Sequence, residues 1–211
     1  LMVKVMSLGF ARSIQALVDI CRGYRLAGLI AYELFDPAVL GDLRQRLARH
    51  GIPVVIAAGG PDAERIGPGV VADNLQGGRL ALEHLAERGH RRVFVLSNYS
   101  GKRWADERCR GFENAAREAG LALSPLYLAG YRLPGAREIA ARICAARATG
   151  VFCVSDYAAL AVVGSLQRAG RRVPEDVAVI GYGNLPFCKS ARPALSSVDE
   201  HLGRIGGRAV D

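Results

Sequence analysis

The chain has 211 residues, half of them apolar and 23% charged, with 25 Gly and 9 Pro, a composition that fits one large domain or two lobes and excludes a disordered tail or a fibre. Its net charge of +8, from 28 Lys and Arg against 20 Asp and Glu, admits a polyanionic partner, but the arginines are scattered along the whole sequence and form no basic stripe. No run approaches the roughly 18 to 20 apolar residues that span a bilayer, so a soluble chain is expected.

Short β-branched apolar runs alternate with helical patterns from end to end, which predicts the α/β class with parallel strands. In chain order the pattern gives a strand at 28–32, a helix at 37–50 opened by Pro37 after Asp36, and strands at 53–58 and 69–72. A helix at 75–88 follows, with Asn74 as candidate cap, then a strand at 92–97 and a helix at 105–119. A strand at 126–129, a helix at 135–148, a strand at 151–154, a helix at 156–169 and a strand at 177–181 complete the series. Gly51, Gly89, Gly120, Gly150 and Gly170 stand at or near the helix ends, each suited to a left-handed C-cap. The polar step Gly89-His90-Arg91-Arg92 suggests a division into lobes, and Ala209-Val210-Asp211 continues a helical pattern.

Cysteines at 21, 109, 144, 153 and 188 form no CxxC pair and mostly lie in apolar runs, so they read as reduced core residues. Leu1-Met2-Val3-Lys4-Val5-Met6 lacks the charge, apolar run and cleavage site of a signal peptide, and a cytoplasmic location is expected. There is no G-x-S-x-G, no phosphate loop, and the histidines at 50, 84, 90 and 201 form no H-E-x-x-H. Gly181-Tyr182-Gly183-Asn184 begins like a dinucleotide fingerprint but continues Leu185-Pro186, which disturbs the required helix. No enzyme activity, metal or cofactor is expected.

Several segments follow one another in a fixed order. They are Val71-Ala72-Asp73-Asn74-Leu75-Gln76-Gly77-Gly78, His84-Leu85-Ala86-Glu87-Arg88-Gly89-His90-Arg91-Arg92-Val93 and Arg108-Cys109-Arg110-Gly111-Phe112. Glu118-Ala119-Gly120-Leu121, Val154-Ser155-Asp156-Tyr157-Ala158-Ala159, Val173-Pro174-Glu175-Asp176-Val177-Ala178-Val179-Ile180-Gly181-Tyr182 and Pro193-Ala194-Leu195-Ser196-Ser197-Val198 continue the series. Together they resemble the effector-binding domain of the lactose-repressor/galactose-repressor (LacI/GalR) family of bacterial transcription regulators, strongly from about residue 50 onward.

The resemblance implies two Rossmann-like lobes of parallel sheet with flanking helices, of the periplasmic-binding-protein-like type I, joined by crossing strands around a ligand cleft. It places residues 1–91 in an N-terminal lobe completed by 198–211, and 92–197 in a C-terminal lobe. The first strand and helix of the N-terminal lobe, and the helix-turn-helix that reads operator DNA, are expected to lie outside this sequence. A homodimer is implied, with the seam expected on the helices at 37–50 and 75–88.

By resemblance, Arg108 points into the cleft and grips ligand hydroxyls or a carboxylate with its planar fork. Lys102 is either a ligand contact or a solvated loop lysine, and Asp73 either a ligand contact or a helix cap. Tyr131 is either an aromatic wall against the ligand ring or a packing residue under its loop. Ser155 stands where the family more often has Asn; Asp156 beside it is a ligand contact or, as a plain alternative, an N-cap. Gly183 and Asn184 complete the effector-binding set.

Sugar- and purine-binding relatives commonly carry Asp where this chain has Gly183, so a carboxylate is missing there while Arg108 remains, which favours an anion. The pattern around Gly183 also resembles the gluconate-type branch. The expected function is therefore effector sensing by a transcription regulator, with a sugar acid such as gluconate as the effector. The alternative is a periplasmic solute-binding protein on the same fold.

Overall fold

The computed structural model describes residues 13–32, 37–57, 67–129 and 133–210. The chain forms two units, one running to Ala72 and resumed from Leu202, the other spanning Asp73–His201. The first break falls before the helix at 74–87, and not at the expected 91, because that helix packs on the helix that follows the next strand; the second falls at 201 where 197 was expected.

In the first unit, α1 (Ile14–Gly23) precedes β1 (Leu29–Tyr32), α2 (Pro37–Ala48), β2 (Val54–Ala57) and β3 (Gly69–Val70). The strands pair in parallel in the order β1-β2-β3. Ser13 starts α1 by accepting from the Ala16 amide at 3.1 Å, satisfying one of the amides that a helix start leaves open. Leu17, Val18 and Cys21 then fall on one face and bury against Leu40, Leu43 and Leu47 of α2 and Val54 and Ile56 of β2. The closing helix, α7 (Leu202–Val210), buries Ile205 and Ala209, one helical turn apart, against Ala57.

The second unit opens with α3 (Asn74–Glu87) and continues β4 (Arg92–Ser100), α4 (Arg103–Glu118), β5 (Ala122–Ala129), α5 (Ala136–Ala145) and β6 (Gly150–Cys153). It closes with α6 (Asp156–Arg168), β7 (Ala178–Tyr182), a 3-10 turn at Pro186–Lys189 and β8 (Ser196–Val198). The sheet is parallel throughout, ordered β5-β4-β6-β7-β8. Because successive side chains point to opposite faces, β4 sends Phe94 and Leu96 to the face covered by α5 and α6, and Val93 and Val95 to the face covered by α3 and α4. The expected apolar strands without alternation are thus buried on both faces.

The parallel α/β architecture agrees with the sequence reading, and several local assignments are corrected. Gly51, Gly89, Gly120 and Gly170 take positive φ, but Gly150 does not: Arg147, at φ 50°, makes the left-handed turn after α5, and Gly150 opens β6. Asp73, not Asn74, caps α3. The edge strand β5 begins four residues before the expected 126 and contains Pro125, which an edge tolerates because its outer amide positions need no partner. No helix among the described residues is long and apolar enough to cross a membrane.

Candidate functional site

In the second unit the strands end on one side, and the helices that follow them start there; this is where open parallel sheets hold ligands. Arg108 is carried to this edge by α4. Two glycines fix its height: a Cβ at Gly78 on α3 would overlap the Arg108 carbonyl, and one at Gly111 would overlap the Leu75 carbonyl. The D-N-x-x-G-G and R-x-x-G-F motifs are therefore the two halves of one close helix contact.

Arg108 is only 5% exposed. Its Nε donates to Asn74 Oδ1 at 2.9 Å, one terminal nitrogen donates to the Val154 carbonyl at 3.0 Å, and the other to Glu200 Oε1 at 2.8 Å. The guanidinium lies over the Tyr182 ring, 3.6 Å from its centroid, and 4.6 Å from that of Trp104. Tyr182 reaches this position because Gly77 has no side chain; a Cβ there would overlap its ring. Burial pushes the Tyr182 phenol up, against the pull of Arg108. Asn74 also lies 3.5 Å from Glu107 Oε2, and Glu107 accepts from Arg103 at 3.2 Å. One cation thus ties the ends of β6, β7 and β8 together.

A second cluster surrounds Asp156, which has no exposed surface. Its carboxylate accepts from the Ser197 hydroxyl at 2.6 Å and the Leu185 amide at 2.8 Å. Ser155, not Asp156, is the N-cap of α6, accepting from the Ala158 amide at 3.3 Å. Asn184 is exposed with φ 51°; its amide donates to Ser197 Oγ at 2.9 Å and its side chain to Asp199 Oδ2 at 3.1 Å. Gly183 has φ 124°, and a Cβ on it would stand 3.3 Å from Asp156 Oδ2. The lack of a side chain at 183 therefore does not free this edge of carboxylates.

Of the remaining candidates, Lys102 is exposed at the start of α4 and makes no side-chain cap bond, and Asp73 is exposed and caps α3 through the Gln76 amide at 2.9 Å. Tyr131 lies outside the described residues. No group of acidic, His or Cys side chains among the described residues is arranged to hold a metal ion. Sequence reasoning missed four members of the Arg108 cluster: Asn74, Trp104, Tyr182 and Glu200. Trp104 lies one turn before Arg108 on α4, Tyr182 ends β7, and Glu200 follows β8, so position at a strand end was the available signal.

The domain family described as "Periplasmic binding protein-like domain" matches residues 82–211. The HTH-type transcriptional repressor PurR of Aliivibrio fischeri is 33% identical over 166 residues, 76% of this chain and 49% of that protein. PurR of Vibrio vulnificus is 32% identical over 179 residues, 81% of this chain and 52% of its own length. The chain spans about half the length of these relatives. Among solved structures, a LacI-family transcriptional regulator from Burkholderia phymatum aligns with a TM-score of 0.74 at 25% identity, covering 98% of this chain and 75% of that one. A LacI-family regulator from Enterococcus faecium with bound ribose aligns at 0.74 and 25%, covering 94% and 74%. The CelR transcriptional regulator in complex with cellobiose aligns at 0.71 and 27%, covering 93% and 61%. The chain belongs to the periplasmic binding protein-like domain family, in the form that LacI-family regulators carry as their effector-binding domain.

Proposed function

We propose that the chain is the ligand-sensing and dimerisation domain of a bacterial transcription repressor that works in the cytoplasm and binds a small sugar-like effector, a sugar acid of the gluconate class. The observation that carries this reading is Arg108: a buried guanidinium laid on an aromatic ring at the carboxyl ends of parallel strands. A sugar-sized effector is supported by the ribose and cellobiose bound to the two regulators named above. The acid is supported by the Arg108 terminal nitrogen that already holds a carboxylate, that of Glu200, at 2.8 Å. Asp156 is engaged by Ser197 and Leu185, so the anion argument rests on Arg108 and not on the bare position 183.

Lys102, Tyr131, Asp73, Ser155, Asp156, Gly183 and Asn184 remain part of the proposed effector set, with Ser155, Asp156, Gly183 and Asn184 shaping the edge on which the ligand rests. Operator DNA is bound through a helix-turn-helix outside this sequence, and the regulator is a homodimer. Leu75 and Leu80 on α3 are exposed apolar side chains on one expected seam; Tyr157 and Leu160 on α6 add a second patch. A periplasmic solute-binding role is not favoured, because the relatives named above are regulators.

A thermal-shift screen over sugars, aldonates and their phosphates tests the reading. A ligand at a hundred times its Kd stabilises by about 2.7 kcal/mol, so D-gluconate raises the melting temperature where D-glucose does not. The reverse order would refute it.

A further inference from the structure

We propose that Glu200 sets how tightly an acidic effector binds, by holding Arg108 in the effector's absence and yielding it to a ligand that brings its own carboxylate. The inference rests on the reading of the effector as a sugar acid.

Arg108 has three named acceptors, and they differ in how firmly they are held. Asn74 is the first residue of α3 and Val154 directly follows β6, so both are fixed by regular structure. Glu200 sits in the short link Asp199–His201 between β8 and α7, outside both elements. It is also the one carboxylate within ion-pair distance of Arg108 among the described residues, and both side chains are almost wholly removed from water, at 6% and 10% exposure.

A buried guanidinium needs a counter-charge, because an uncompensated charge out of water is costly. A neutral sugar offers hydroxyls, which can add hydrogen bonds but cannot replace the charge, so with a neutral ligand Glu200 stays on Arg108. An aldonate offers a carboxylate of the same shape and charge as the one already there. Two carboxylates on one guanidinium repel each other, so the acid enters as Glu200 leaves, and the link carries the Glu200 side chain into water. The charge of Arg108 remains paired throughout. Glu200 thus lowers affinity for acids by the work of its own displacement while leaving neutral ligands untouched.

The chain's one tryptophan reports this exchange, since the Trp104 ring lies 4.6 Å from the guanidinium. Fluorescence titration of the wild-type chain and Glu200→Gln with D-gluconate and D-glucose is the test. Glu200→Gln keeps a hydrogen-bonding oxygen but removes the competing charge, so D-gluconate binds it at least tenfold more tightly than wild type, with D-glucose binding unchanged. Wild type that binds D-gluconate, with Glu200→Gln binding it equally or more weakly, overturns the role of Glu200 and leaves the sugar-acid reading standing. Wild type that binds D-glucose and not D-gluconate overturns both. If circular dichroism shows Glu200→Gln unfolded, Glu200→Asp, which withdraws the carboxylate by one methylene, takes its place: tighter D-gluconate binding supports the proposal and unchanged binding overturns it.

Discussion

Gly78 on α3 lies against Arg108 on α4 so closely that a Cβ at 78 would overlap the Arg108 carbonyl. The overlap is with backbone, which cannot swing aside, so a methyl group there forces the helices apart and shifts the guanidinium away from Tyr182. Gly78→Ala should destabilise the second unit by about 2 kcal/mol, within the range for overpacking, and lower its melting temperature by roughly 4–8 °C. Gly206→Ala on α7, where an added Cβ meets nothing within 4 Å, should instead gain about 0.5–1 kcal/mol. Thermal melts of the two variants check the contrast; equal melting temperatures would contradict it.

Gly183→Asp adds two costs at one place. The backbone at φ 124° strains any side chain, and the Cβ that carries the new carboxylate stands 3.3 Å from Asp156 Oδ2. The variant should therefore be destabilised relative to Gly183→Asn by more at pH 7 than at pH 4, because repulsion from the introduced carboxylate is relieved when that group takes a proton. Urea denaturation at both pH values measures it. A pH-independent difference between the variants would show that strain acts without charge.

The strands buried on both faces were readable because β6, β7 and the Val93–Leu96 stretch of β4 are apolar runs, and four helix ends because glycine marks them. Where another residue makes the left-handed turn, the signal disappears. Arg25, at φ 50°, follows α1, which the sequence reading omitted, and Arg147 follows α5, whose end was placed three residues late. β8 is only three residues long and lies just past Pro193, too short for any periodic pattern. Arg108 was legible through its motif, but its partners Asn74, Val154 and Glu200 lie 34, 46 and 92 residues away, and only the sheet order brings them together.

His84 and His90 line a cavity of about 230 Å³ with Val163, Val173, Val179 and Leu195. Burial holds both imidazoles below their ordinary 6.5, with Arg88 acting in the same direction. A histidine with a lowered folded-state pKa binds fewer protons than the unfolded chain, so its contribution is intact above pH 6.5 and is lost as pH falls through the folded value. Stability should drop between pH 7 and pH 5, and the drop should shrink in His84→Gln/His90→Gln. An unaltered pH profile in the double variant would assign the loss to other groups.

Burial pushes the Cys109 thiol up to about 12 and Cys188 to about 11, and raises Cys21 and Cys153 as well. Cys144 is the partly exposed thiol of the five. A disulfide reagent at pH 8 should modify one thiol of the folded chain quickly and the others only on unfolding. Rapid modification of several thiols without loss of structure would contradict the burial of the rest.

Calorimetric titration of the wild-type chain with D-gluconate, D-glucose and a purine base, repeated on Arg108→Lys, tests the central claim most directly. Lysine keeps the charge but loses the fork that engages Asn74, Val154 and Glu200 together. The account predicts that D-gluconate saturates the wild-type chain at one per molecule, that D-glucose and the purine bind more weakly, and that Arg108→Lys loses at least tenfold in D-gluconate affinity. A neutral hexose or a purine binding more tightly than D-gluconate, or Arg108→Lys binding D-gluconate as wild type does, would contradict it.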